Sequence, residues 1–259
     1  MKSNIGRDDK VVLIRIAGAQ AVELEDKQAR ADIQTSLSRL AMTTEDPVLG
    51  RAAALMYSRM GFYPDTLALL ASARARKHIG DDEYFGDLGY LLPIASGADQ
   101  VKIAKLLIEG KNGFSRVVLA SLFTNRDLVG TLTPSALSDV TAFLTQNEPT
   151  FSSSPSIGGT DVFRYADWLN AVVGLTAKAT GEPERVVMAR QLRIDGADPK
   201  TLIAALHNEQ NAALIRAAFD RRSLEKIDTA IASFAQQSKT SWVQELAATG
   251  RANLAGPKK

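Results

Sequence analysis

The sequence predicts an all-α protein, an array of antiparallel helical hairpins organised in two halves. Apolar residues recur at i, i+3/i+4 and i+7 nearly everywhere after residue 20. Alternation with a period of two is confined to Val11–Ile16. Start and stop signals are frequent enough to imply about ten to twelve helices near three turns each, joined by connections of roughly two to eight residues. Connections that short make sequence neighbours pack antiparallel.

Taken in order, residues 1–19 form a lead-in. Val11-Val12-Leu13-Ile14 after Lys10, followed by Ala17-Gly18-Ala19, imitates a secretory signal, but Arg15 interrupts the run and Asp8-Asp9 stand where positive charge belongs. The run is also far short of the roughly 20 residues that span a bilayer, so the reading is a short strand or a helix lead-in. Residues 20–148 form the helical repeat domain. Ile33, Leu37, Leu40 and Ala41 make one apolar stripe. Asp46-Pro47, and later Thr133-Pro134 and Asp198-Pro199, place a capping side chain before a proline whose missing N–H costs nothing in a first turn. Gly61, Gly80, Gly110, Gly181 and Gly250 follow periodic segments and suit the left-handed closing residue of a helix. Arg74, Arg76, Lys77 and His78 crowd one expected helix end and Asp81-Asp82-Glu83 the next beginning, as macrodipoles favour.

Residues 149–160, PTFSSSPSIGGT, have little to bury and read as a linker. Residues 161–255 form a C-terminal helical region. In it, Arg221-Arg222 are expected to end a helix that begins near Ala212, and Ser223, with Glu225 and Lys226, to begin the next, whose stripe is Leu224, Ile227, Ile231 and Phe234. Residues 256–259 are a tail.

With 259 residues, 45% of them hydrophobic, the chain can bury roughly 70–75% of its unfolded surface, and it needs neither metal nor disulfide to hold a core. Lysine and arginine number 31 against 29 acidic residues, a net charge of +2. That balance supplies no general attraction to nucleic acid or to an acidic membrane, and no segment suits membrane insertion. The absence of cysteine removes thiol nucleophiles, thiolate zinc sites and iron–sulfur ligation. His78 and His207 have no partner at metal-ligand spacing. Asp81-Asp82-Glu83 do not complete a calcium loop, and the serine–glycine linker contains neither a phosphate loop nor a nucleophile elbow. No catalytic residue, metal site or cofactor is therefore assigned.

One helix pair is more specific. In AALMYSRMGFYPDTLALLASA, residues 53–73, Tyr57, Gly61, Tyr63, Leu70 and Ala73 stand at the spacing of a tetratricopeptide repeat, with Thr66 in place of a usual alanine. Glycine permits the tight turn, and the aromatics fill the wedge between two helices. Residues 47–77 thus resemble one such repeat. The family's first-helix tryptophan has no counterpart at Gly50, and Ala53 and Ala54 replace its leucine and glycine. The segments 88–110, turning at Gly97, and 168–192, turning at Gly181, echo the hairpin loosely. The resemblance implies that the first helix of a repeat lines a concave face, and its register turns Arg51 and Arg59 into that groove, where they can pair with a partner's carboxylates.

The expected function is a non-enzymatic adaptor or scaffold that binds a protein or peptide, such as a partner helix, on a concave helical surface. Two alternatives stand beside it. One is an all-helical enzyme with dispersed carboxylates, Asp81, Glu83, Asp161 and Glu182. The other is a structural homodimer sealed by Trp242, Val243 and Leu246. A cytoplasmic setting is expected, with the periplasm or secretion open if a signal has been removed.

Overall fold

A computed structural model describes residues 5–110, 113–151 and 158–257, and of residues 113–115 the backbone alone. Among the described residues there are fifteen α-helices and no strand. Asparagines account for part of the excess over the expected number. Asn125 accepts from the Asp127 amide at 2.9 Å and starts α8. Asn208 ends α12 and also caps α13 through the Asn211 amide at 3.1 Å. Each starts a short helix with a side-chain cap of its own.

The chain divides into two compact units, Met1–Gly110 and Lys111–Lys259. The segment 149–160 lies inside the second, and residues 152–157 of it, like 1–4 and 258–259, fall outside the described residues.

The first unit holds α1 (Arg7–Glu23), α2 (Lys27–Thr43), α3 (Pro47–Arg59), α4 (Thr66–Ala75), α5 (Asp81–Leu91) and α6 (Gly97–Glu109). The alternating stretch Val11–Ile16 is therefore helical. Helix α1 packs on α2 and α3, α2 on α3 and α4, α3 on α4 and α5, α4 on α5, and α5 on α6. Asp46 caps α3 as its sequence position predicts, accepting from the Val48 and Leu49 amides at 2.9 and 3.4 Å. Small residues let α3 sit among its neighbours: Ala52, Ala53 and Ala54 are buried. At Gly50 a Cβ would stand 2.1 Å from the Nδ1 of buried His78. The imidazole of His78 therefore packs on the bare backbone of Gly50.

The turn after α3 is tied by Tyr57. Its hydroxyl donates to Asp65 and accepts from Gln34 Nε2 at 3.3 Å, while Ser38 donates to the other Asp65 oxygen at 3.1 Å. Burial, then the Asp65 contact, push the Tyr57 phenol up to about 12. Gly61, at φ +145°, supplies the turn.

The basic cluster at the end of α4 differs from expectation, because three of its members serve other elements. Arg76 donates to the carbonyls of Ala41 and Met42, at 3.2 and 2.8 Å, and of Thr44, closing α2 rather than its own helix. Arg74 bonds Asp81 at 2.7 Å and lies over the Tyr84 ring at 4.7 Å. His78 packs on Gly50. Lys77 takes the left-handed closing conformation at φ 61°, a role expected of glycine. Gly80 instead caps the start of α5, and Gly110 ends α6 with helical dihedrals.

The second unit holds α7 (Gly113–Leu122), α8 (Arg126–Thr131), α9 (Pro134–Gln146), α10 (Gly159–Thr180), α11 (Glu184–Leu192), α12 (Pro199–His207), α13 (Glu209–Ala218), α14 (Arg221–Gln237) and α15 (Ser241–Ala255). Thr133 and Asp198 cap α9 and α12 as predicted, and Gly181 closes α10 at φ 74°. Helices α7, α8, α9, α11, α12 and α13 all pack on α10, which is apolar on most sides; Leu169 and Ala171–Val173 are fully buried. Polar groups fix its neighbours in place. Trp168 Nε1 donates to the Leu144 carbonyl at 2.7 Å, Asn211 Nδ2 to the Ala166 carbonyl at 2.9 Å and Asn170 Nδ2 to Gln210 at 3.2 Å.

Three expectations are corrected here. Asp220, not Ser223, caps α14, accepting from the Ser223 amide at 2.8 Å. Arg221 and Arg222 consequently open α14 instead of ending α13. Gly250 lies inside α15, where a Cβ would come within 3.5 Å of Leu206 Cβ on α12; it marks close helix approach and not a helix end.

Arg126 joins α8 to α10 and α11. Its guanidinium bonds both Glu184 oxygens at 2.6 and 3.2 Å and the Phe123 carbonyl at 3.2 Å. It lies flat on Gly174, where a Cβ would meet Nη1 at 2.4 Å. Alanine favours a helix over glycine by about 0.8–1.0 kcal/mol, yet Gly174→Ala is expected to destabilise the chain by about 1–3 kcal/mol, because the clash displaces a charged hydrogen-bond network. In an Arg126→Ala background the same substitution should stabilise. Urea titration of the four variants checks both signs. Lys77→Gly should raise stability by about 0.5–1 kcal/mol by the same measurement, since an L-residue loses about 1–2 kcal/mol in the left-handed region.

Candidate functional site

Three helices of the first unit leave an open groove of about 1000 Å³. Residues at helical spacing line it from each side. Its floor is the outer face of α3, with Val48, Arg51, Ala52, Leu55, Met56 and Arg59; one wall is Val11, Arg15 and Ala19 of α1, and the other is Glu83, Gly86, Asp87 and Tyr90 of α5. The face of α3 that turns from the groove carries Ala53, Ala54 and Tyr57 into the core, so packing on one side orients the lining on the other. Leu55 and Met56 are half-buried, while Val48 and Tyr90 remain 41% and 50% exposed.

Arg51 and Arg59 both line this groove. They differ in what holds them. Arg51 forms an ion pair with Glu83, whose second oxygen accepts from the Gly80 amide at 3.0 Å and so fixes the start of α5. Arg59 forms no hydrogen bond or ion pair among the described residues, and neither does Arg15, a groove residue that sequence reading did not single out.

Asp87 was also missed. It is 7% exposed, and its Oδ2 lies 2.6 Å from the Oγ of fully buried Ser58, which is also 2.9 Å from the Leu55 carbonyl. One hydroxyl proton cannot serve both acceptors. When Asp87 carries a proton it donates to Ser58 and Ser58 donates to Leu55, which satisfies all three groups. Burial raises the Asp87 pKa, against the opposing pull of Ser58 and Arg59. A sequence signal existed: Asp87 stands on the stripe Tyr84, Leu88 and Leu91, at the spacing of a buried helix face.

The carboxylates considered for an enzyme are dispersed. Asp81 pairs with Arg74 at 2.7 Å and Glu83 with Arg51. Glu182 pairs with Arg190 at 2.7 Å, which holds its pKa below the usual range. Asp161 lines a cavity of about 180 Å³ with Arg164, Phe151 and Trp168, smaller than the roughly 300–1,000 Å³ of ordinary ligand pockets. Asp161 and Glu182 flank opposite ends of α10, roughly 30 Å apart at the helical rise. Among the described residues no group of three or more His, Asp or Glu could hold a metal ion, and no helix is long and apolar enough to cross a membrane. Of the stripe considered for a dimer, Val243 and Leu246 are buried within the second unit, and only Trp242, 43% exposed, reaches solvent.

No family model, curated protein or solved structure matches the chain.

The sign of the Asp87 shift gives a test. A carboxyl whose folded pKa is raised destabilises the fold wherever it is ionised, and that cost disappears as pH falls through the folded pKa toward the ordinary aspartate value of about 3.9. An amide at this position donates to Ser58 at any pH. Asp87→Asn should therefore be more stable than the parent at pH 7, with the advantage shrinking as pH is lowered toward 4. Urea unfolding across that range checks it, and an advantage independent of pH would contradict the assignment.

Proposed function

We propose that the chain is a non-enzymatic protein–protein interaction module, an adaptor or scaffold that holds a peptide or partner helix in the groove formed by α1, α3 and α5. The observation that carries this reading is the meeting of Arg51 and Arg59 with Arg15 on one open surface whose floor is apolar. Cations beside exposed Val48 and Tyr90 and half-buried Leu55 and Met56 suit a partner that buries apolar side chains and anchors its polar ones at the edge. The groove's carboxylates are engaged by their own neighbours, Glu83 by Arg51 and Asp87 by Ser58, an arrangement that suits recognition better than proton transfer.

The finer architecture belongs to the same proposal. The pairs α1/α2, α3/α4 and α5/α6 read as three stacked hairpins, a right-handed tetratricopeptide-like or HEAT-like array. Packing of α1 on α3, of α2 on α4 and of α3 on α5 supports such stacking, although no comparable packing joins α4 to α6 among the described residues. The first helices of the hairpins then line the concave face.

Charge reversal tests the reading. Arg51→Glu combined with Arg59→Glu should remove a near-stoichiometric partner from a crosslinking pull-down in the native host, while unfolding free energy stays within about 1 kcal/mol of the parent, as surface substitutions usually leave it. Retention of the same partner by the variant would overturn the groove assignment.

A further inference from the structure

We infer that the groove's occupant is an acidic amphipathic segment, whose carboxylates meet Arg15 and Arg59 and whose apolar stripe lies on Val48, Leu55, Met56 and Tyr90. This rests on the interaction reading above and gives its partner a chemistry. The groove contains three arginines and two carboxylates. One pair cancels internally, Arg51 with Glu83. Asp87 is nearly enclosed and tied to Ser58, so it presents little negative charge to an incoming ligand. What remains is two guanidinium groups with no ion pair among the described residues, Arg15 on α1 and Arg59 on α3, the second of which also feels the charge of the enclosed Asp87. Each retains its full fork of donors, the geometry that carboxylates match with two hydrogen bonds.

The apolar floor separates this from a phosphate-binding surface. A nucleic-acid groove tracks its ligand with a run of cations and stacking aromatics, and here the arginines stand among aliphatic side chains and a single aromatic, Tyr90. Arg51 and Arg59 are eight residues apart on α3, about 12 Å along its axis, so Arg51 lies within reach of the same segment if a partner carboxylate displaces Glu83. Met56 on the floor can adjust its shape to different apolar side chains. The exposed surface continues beyond the wall, where Val12 and Ile16 of α1 are 53% and 47% exposed. A segment with acidic residues on one flank and an apolar stripe two or more turns long fits this arrangement.

The test uses the whole chain as bait for a displayed library of helical sixteen-residue peptides, randomised at apolar and flanking positions. Selected peptides are labelled with fluorescein, and their Kd is measured by polarisation against the parent, Arg15→Ala/Arg59→Ala, Arg51→Glu/Arg59→Glu and a control, Arg15→Lys/Arg59→Lys, with circular dichroism to verify folding. The expected result is enrichment of Asp and Glu beside an apolar stripe. The alanine pair should weaken binding at least tenfold and the lysine pair less, and raising salt from 50 to 300 mM should weaken binding to the parent more than to the alanine pair. If the enriched peptides are neutral or basic but are lost in the charge-reversed variant, the groove stands and the acidic partner falls. If no peptide is enriched, or all bind every variant equally, the groove reading fails and this inference with it. A labelled dT16 oligonucleotide that binds more tightly than the selected peptides overturns the inference in favour of nucleic acid.

Discussion

Close approach of four helices to α3 is the constraint on which the first unit depends. Packing α1, α2, α4 and α5 around one helix requires that helix to carry little bulk on its inner faces, and α3 meets the requirement with Gly50, Ala53 and Ala54. Closely packed interiors tolerate few voids, so larger side chains from neighbouring segments fill what the small ones leave. His78 lies over Gly50, and Met56 rests where Gly18 brings α1 close. Because the small residues are on the inner faces, the remaining face of α3 is free to carry Arg51, Leu55 and Arg59 outward. The groove is thus the complement of the packing, set in position by residues that do not line it.

The second unit solves a different problem. A helix surrounded like α10 must be apolar on nearly every side, and apolar contacts alone fix neither rotation nor register. Buried hydrogen bonds with definite partners supply that specificity, at a cost if either partner is lost. Trp168, Asn170 and Asn211 act in this way, and Arg126 adds a charged bond from α8 to the start of α11 across the bare surface of Gly174. The glycine is needed because a guanidinium plane requires a flat backbone beneath it.

Charge in this molecule follows the same logic of engaged and unengaged groups. Most arginines are held: Arg76 closes α2, Arg126 binds Glu184, Arg190 binds Glu182 and Arg251 binds Asp228. Exposed pairs of this kind contribute little stability individually. Arg15 and Arg59 form no ion pair among the described residues, and they line the same groove as exposed Val48 and Tyr90 and as the most enclosed acid of the first unit, Asp87.

The sequence by itself determined the helical class and the beginnings of α3, α5, α9 and α12. Those features follow from local rules: apolar residues at a period of 3.6, and side-chain oxygens capping amides two or three residues away at Asp46, Thr133 and Asp198. It failed where a residue's role depends on a distant partner. Arg76 reads as the cap of its own helix until α2 is seen to end beside it, and Gly250 reads as a stop until α15 is seen to continue through it with α12 packed alongside. Arg15 and Asp87 become groove residues only when α1 and α5 are brought to either side of α3. Tertiary structure alone decided these, because burial, displaced bulk and the pairing of charges are properties of neighbours in space, and a local pattern carries no information about which neighbours those are.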